Sequence, residues 1–210
     1  VYNPDKAKKL LTEAGLPPGV VNLVTGDGVD VSSVALSHPD LAGVHFTGST
    51  ATGASIMSDA ALSGVKPVSL ELGGKSAMIV RHDADVQRAA AMAVGILSVN
   101  AGQGCAITTR LLVHNSIRPA FVQMAAAMAA HIKVGNAADP SVTMGPLIRE
   151  SQRAKVEHYV ALGKAAGATV VCGGRRAEQT DAQRRGNFVE PTVFANCNDD
   201  MTIVREEIFG

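Results

Sequence analysis

The chain is 210 residues long, 46% hydrophobic and 18% charged, a balance that belongs to folded globular proteins rather than disordered ones. Its 19 basic and 19 acidic side chains cancel, which leaves no electrostatic footprint for nucleic acid or an anionic membrane surface. No apolar run approaches the roughly 18 residues of a membrane span and no signal core follows a charged start; three cysteines, 67 and 25 residues apart, form neither a disulfide framework nor a zinc signature, which favours free thiols in a reducing, cytoplasmic compartment.

Residues 5–14 carry helical spacing (Ala7, Leu10, Leu11, Ala14), stopped by Gly15 and the Pro17-Pro18 pair. Residues 20–25 read as a short, buried parallel strand ended by Gly26-Asp27-Gly28. Residues 31–37 can be a helix, which His38-Pro39-Asp40 breaks. Residues 44–47 are strand-like and lead through Gly48-Ser49-Thr50 into a helix from about Ala51. Ser49 and Thr50 suit an N-cap, and a helix N-terminus offers N–H groups and partial positive charge to a phosphate. The spacing Gly48-x-x-x-x-Gly53 is not the common dinucleotide fingerprint, so a plain strand-to-helix turn stands beside cofactor binding at this point.

Residues 65–72 form a strand that delivers Glu71, one acid in an apolar and glycine-rich run, closed by Gly73-Gly74. A buried carboxylate has its pKa raised by desolvation, which suits a general base near neutral pH; the plainer reading is a carboxylate satisfied at a strand end. Asp83 and Asp85 open an alanine-rich helix through about Ser98, whose end presents residues 100–105. The small residues Ala101, Gly102, Gly104 and Ala106 around Cys105 leave room for a substrate and let backbone N–H groups approach a developing oxyanion. A thiolate splits difficult acyl chemistry into two easier steps. Acid and thiol together suggest covalent catalysis.

Residues 110–114 are again strand-like, and Ser116 is expected to cap a helix ending near Lys133. A loop covers residues 133–146, and a helix spans 149–167 with Gln152, Lys155 and Glu157 on a solvated face. Residues 168–171 are a strand closed by Cys172, read as buried and inert; 178–185 are a polar loop, 188–194 a strand, and 201–204 lead into Glu206-Glu207-Ile208-Phe209. Cys197 sits in a polar loop, and the six histidines show no paired ligand spacing, so no metal is expected. The alternation of strand, loop and helix points to an α/β sheet.

The segments FTGST, LELGGKS, NAGQGC with Arg110 five residues after the cysteine, and EEIFG follow one another in that order, with 34 residues from Glu71 to Cys105. Together they resemble the successive signatures of the NAD(P)-dependent aldehyde dehydrogenase superfamily, over essentially the whole chain. The resemblance implies an α/β fold of aldehyde dehydrogenase type: residues 1–72 as the end of a Rossmann-like nucleotide-binding domain, and residues 73–210 as much of an α/β catalytic domain. It implies Cys105 as the nucleophile, with its own N–H as an oxyanion donor, and Glu71 as the base that hydrolyses the thioester to a carboxylic acid. NAD, or NADP, is the implied cofactor, with Gly48, Ser49, Gly53 and Leu72 among its contacts, Glu207 at the nicotinamide ribose and Phe209 near the nicotinamide ring. Residues matching Gln152 and Lys155 reach the ribose in such enzymes. A small aldehyde is the implied partner and homo-oligomerisation is expected at full length, with no nucleic acid or membrane partner.

The family's oxyanion asparagine and its Lys-Pro-x-Glu cofactor segment have no counterpart here, and Asn100, which precedes the Gln103-Gly104-Cys105 turn, is no substitute. The chain is therefore expected to be an internal piece of a longer enzyme, inactive by itself. Two alternatives stand beside this reading. One is a CoA-acylating aldehyde dehydrogenase, which the presence of Glu71 disfavours; the other is a non-catalytic partial chain or binding module.

Overall fold

The computed structural model of the protein describes residues 3–26 and 28–210, which divide into two compact units, Val1–Glu71 and Leu72–Gly210. In the first, α1 (Pro4–Glu13) starts at Asn3, whose side-chain oxygen accepts from the Lys6 N–H at 2.9 Å, and Pro4 presets the first turn. Next come α2 (Gly28–Ser37), β1 (Val44–Gly48), α3 (Thr50–Leu62) and β2 (Val68–Leu72), with β1 and β2 paired. Leu36, Ile56 and Ala60 form the buried centre, against which Val44, Phe46 and Val68 pack.

Two expectations are corrected in this unit. Residues 20–25 form no strand, and Val20, Val21, Leu23 and Val24 are exposed. A β-branched run becomes a strand only when a neighbour presents a ladder of N–H and C=O groups, and among the described residues none pairs with it. The second strand begins at Val68 rather than Val65, because Val65 is left-handed (φ 56°) and Pro67 has no N–H to give a ladder.

The second unit is built on a parallel β–α–β arrangement: β3 (Ser76–Val80), which the sequence reading did not assign, α4 (Val86–Ser98) and β4 (Thr108–Val113). Asp85 caps α4 by accepting from the Arg88 N–H at 3.0 Å. One face of the β3–β4 pair is covered by α4 and by α5 (Arg118–Ala130); Ala89, Ala90, Ala93, Ala125 and Ala129 let the helices approach, and Phe121 fills the centre. Ser116 does not cap α5. Its N–H and hydroxyl turn back to His114 Nδ1 (3.3 and 2.9 Å), and the helix starts instead from Ile117 with Pro119 in its first turn.

Then come α6 (Glu150–Ala165), β5 (Thr169–Cys172), α7 (Asp181–Arg185), β6 (Val193–Ala195) and α8 (Thr202–Arg205), with β5 and β6 antiparallel. The stretch 178–185, expected as a loop, holds a capping box: Gln183 N–H donates to Thr180 Oγ1 (3.2 Å) and Thr180 N–H to Gln183 Oε1 (3.0 Å). The strand expected over 188–194 shrinks to Val193–Ala195 plus an isolated bridge from Val189 to Arg176, since Pro191 interrupts the donors. Gln152, Lys155 and Glu157 are half-buried rather than solvated, because the C-terminal segment and Arg176 lie against that face of α6.

Candidate active site

Cys105 is exposed, in a turn that follows α4 and precedes β4. Three consecutive residues ahead of it are left-handed: Asn100 (φ 49°), Ala101 (φ 54°) and Gly102 (φ 77°). Two of these lack glycine's freedom, at a cost of about 1–3 kcal/mol each, so the surroundings must hold them. Ala101 is buried among Met144, Leu147, Val156 and Val189. Gln103 supplies the rest of the restraint: Nε2 donates to Asn100 O (2.8 Å), while Oε1 accepts from Ile148 N–H (3.0 Å). At Gly102 a Cβ would meet the Gly210 carbonyl carbon at 2.7 Å, so the C-terminal residue packs directly on the turn.

The glycine pair after β2 forms the second part of the site. Gly74 N–H donates to Glu207 Oε1 at 3.1 Å, and a Cβ on Gly73 would fall on the same carboxylate. Glu207, half-buried, is thus brought to Gly73-Gly74 across the unit. Phe209 follows with an exposed ring and a left-handed backbone (φ 61°), and Gln152 Nε2 secures that backbone by donating to Ile208 O (3.1 Å) and Phe209 O (2.6 Å). Gln152 therefore spends its donors on the Ile208 and Phe209 backbone in this structure. Arg110 Nε donates to Lys75 O at 2.8 Å and so joins the GGK segment to the strand after Cys105.

In the first unit, Gly48 ends β1, Ser49 is the N-cap of α3, and Gly53 is buried on that helix's first turns. Ser49 Oγ accepts from Thr52 N–H at 3.2 Å, and Gly53 N–H returns to Ser49 O at 2.9 Å. Gly48 has no room for a side chain, because Phe46's ring lies where a Cβ would stand. Glu71 is exposed, not buried. Alternation along β2 places Val68, Leu70 and Leu72 on the half-buried side and Ser69 and Glu71 on the other.

Of the remaining thiols, Cys172 is half-buried rather than buried, and burial pushes its thiol up; Cys197 is exposed, yet the partial desolvation of its sulfur still pushes the thiol up, with Lys75 opposing. The sequence reading assigned nothing to Gln103, Lys75 or the Tyr159–Glu206 pair, in which the phenol donates to Glu206 Oε2 at 2.6 Å. Lys75 carried one signal, its place inside ELGGKS. For Gln103 and Tyr159 no local pattern names partners 45 and 47 residues away.

A sequence model described as "Aldehyde dehydrogenase family" matches residues 6–210. Among solved structures, a betaine aldehyde dehydrogenase of Staphylococcus aureus in complex with NAD+ superposes with a TM-score of 0.92 at 41% identity, over 98% of this chain and 40% of that one. An aldehyde dehydrogenase of Bacillus cereus, solved as a mutant, gives 0.90 at 44% identity, over 97% of this chain and 40% of that one. A double mutant of the Staphylococcus enzyme, also with NAD+, gives 0.91 at 41% identity, over 98% of this chain and 41% of that one. The chain thus spans about two fifths of the length of the solved proteins it matches.

Proposed function

Because the chain belongs to the aldehyde dehydrogenase family, we propose that it is the part of an NAD-dependent aldehyde dehydrogenase that carries the reacting thiol, with residues 1–72 ending the nucleotide-binding domain and residues 73–210 opening the catalytic one. The observation that carries this reading is the Cys105 turn. An exposed thiol stands after three left-handed residues that Gln103 and a buried Ala101 hold in place, and strain of this kind concentrates where a reacting group must be presented.

Each unit, taken by itself, carries residues suited to one part of a dinucleotide. Ser49 caps a 13-residue helix whose first N–H groups lie outside the helical ladder, a place suited to a pyrophosphate, with Gly48 and Gly53 on either side. Glu207 beside Gly73-Gly74 suits a ribose hydroxyl pair, and Leu72 and the exposed Phe209 ring are apolar surface for a nicotinamide. When bound, the nicotinamide supplies the acceptor for the hydride that leaves the substrate carbon. NAD is the cofactor of the Staphylococcus relatives and the one we assign here.

In the chain's own chemistry, the Cys105 thiolate attacks the aldehyde carbon; the S–C bond forms and the carbonyl pair moves to oxygen, where the Cys105 N–H is one donor to the oxyanion. Once oxidised, this adduct is a thioester. Glu71 then takes a proton from water, the resulting hydroxide opens the thioester, and the carboxylic acid leaves with the thiolate restored. The substrate is a small aldehyde, and the full-length protein is a homo-oligomer.

The test uses a protein of the relatives' full length containing these residues, assayed with NAD and either betaine aldehyde or a simple alkyl aldehyde. Cys105→Ala is expected to abolish NADH formation, and Glu71→Gln to leave an acyl adduct on Cys105 visible by intact mass. NADH formation that survives Cys105→Ala overturns the reading, and a product that requires CoA transfers it to the acylating class.

A further inference from the structure

Lys75 takes no part in the chemistry above, yet its surroundings are unusual. Its side chain is half-buried, and among the described residues its ammonium donates no hydrogen bond. The other half-buried lysines are engaged: Lys66 donates to Leu36 O at 2.9 Å and to Ser63 O, and Lys155 lies 5.8 Å from the centre of the Tyr159 ring. Three charged or ionisable groups act on Lys75 through space: the Arg110 guanidinium, the Glu207 carboxylate and the Cys197 thiol. Lys75, Arg110 and Cys197 share a cavity of about 290 Å³, whose other walls include Leu97, Val193 and Ile203. Ala101 and Gly102 of the turn also border this cavity, but Cys105 is not among its walls, so Lys75 and the nucleophile do not share it.

We propose that Lys75 is a second, carbonyl-reactive site, an amine that takes a small aldehyde or ketone into this cavity as an imine. An amine attacks carbonyl carbon only when neutral, and both burial and a neighbouring cation favour that form. Burial first, then Arg110, bring Lys75 down from 10.5 to about 8, while Glu207 and Cys197 pull weakly the other way. At pH 7 about one such amine in ten is neutral, against roughly one in three thousand for an ordinary lysine.

The step balances without an oxidant. The Nζ lone pair forms a C–N bond as the carbonyl pair moves to oxygen; the carbinolamine then expels that oxygen as water with both amine hydrogens. The imine takes one proton from solvent, and Glu207 balances the iminium charge. Cys197, whose thiol partial desolvation pushes up against the pull of Lys75, is a bystander.

The chain is incubated at pH 7 with propanal and cyanoborohydride, without NAD, and propyl adducts are located by peptide mass mapping. Lys75 is expected to react at least about tenfold faster than the exposed Lys6, Lys8 and Lys9. Lys75→Arg removes the fast adduct, and Cys105→Ala keeps it, which separates this site from the dehydrogenase reading. Near pH 9.5 the preference narrows as ordinary lysines also lose protons. Labelling of the wild-type chain in which Lys75 reacts no faster than those three lysines overturns the proposal.

Discussion

The carboxylate of Glu207 accepts a hydrogen bond from the backbone N–H of Gly74 at 3.1 Å, across 133 residues of chain. This contact joins the ELGGKS segment to the EEIFG segment inside one unit, and it depends on Gly73, where a Cβ would displace the carboxylate. Gly73→Ala is expected to break it and to destabilise the second unit by about 1 kcal/mol, the value of one partly exposed bond to a charged acceptor. Urea unfolding of the two chains checks this; an unchanged midpoint would mean that the carboxylate contributes nothing from that position.

Gln103 holds the Cys105 turn through both ends of its amide. In Gln103→Ala the Ile148 N–H loses its acceptor, and its hydrogen exchange is expected to quicken about tenfold, the equivalent of roughly 1.4 kcal/mol. Gln103→Glu keeps the acceptor and should restore most of the protection. Equal exchange in all three chains would show that the turn is held by packing alone.

The hydrogen bond to Glu206, followed by burial, raises the Tyr159 phenol from 10.0 to about 12. Folding favours the neutral phenol, so this contribution is complete below pH 10 and is lost as pH rises from about 10 to about 12. Tyr159→Phe should flatten that alkaline loss. Urea midpoints at about pH 8.5 and about pH 11 decide it, and the same alkaline drop in both chains would assign the loss elsewhere.

Phe121 is 2% exposed at the centre of the β3–β4, α4 and α5 core. Phe121→Ala is expected to cost about 3–5 kcal/mol, because the long side chains around it, Leu97, Leu111 and Met124 among them, are already packed in the same core and only partly relax into the space the ring leaves. Thermal and urea unfolding read this directly. A loss under about 1 kcal/mol would mean that the helices collapse onto the gap.

We expect the 210-residue chain alone to form no NADH from an aldehyde, since one missing oxyanion donor costs on the order of 10² to 10³ in rate. Aldehyde-dependent NADH production by the pure chain, abolished in Cys105→Ala, would contradict this.

Local features were readable ahead of the structure wherever the physics is local. The turn from β1 into α3 and the start of α4 depend on Ser49 and Asp85 capping N–H groups three residues on. The capping box of Thr180 and Gln183 was equally readable but was masked by a polar composition that suggested loop. Residues 20–25 misled for the opposite reason. Their β-branched pattern is real, but a strand also needs a neighbour, and pattern alone does not supply one.

Order and spacing of FTGST, ELGGKS, NAGQGC and EEIFG were enough by themselves to indicate the family, which the match over residues 6–210 bears out. Alternation along β2 also determined that Glu71 faces away from Leu70 and Leu72. Which of those faces is covered was decided by packing, and Glu71 came out exposed. The contacts of Gln103 with Ile148, Gln152 with Phe209 and Glu207 with Gly74 span 45, 57 and 133 residues. No spacing rule reaches that far: such partners meet only after loops close and helices pack, so tertiary structure chose them and, with them, the desolvated amine of Lys75.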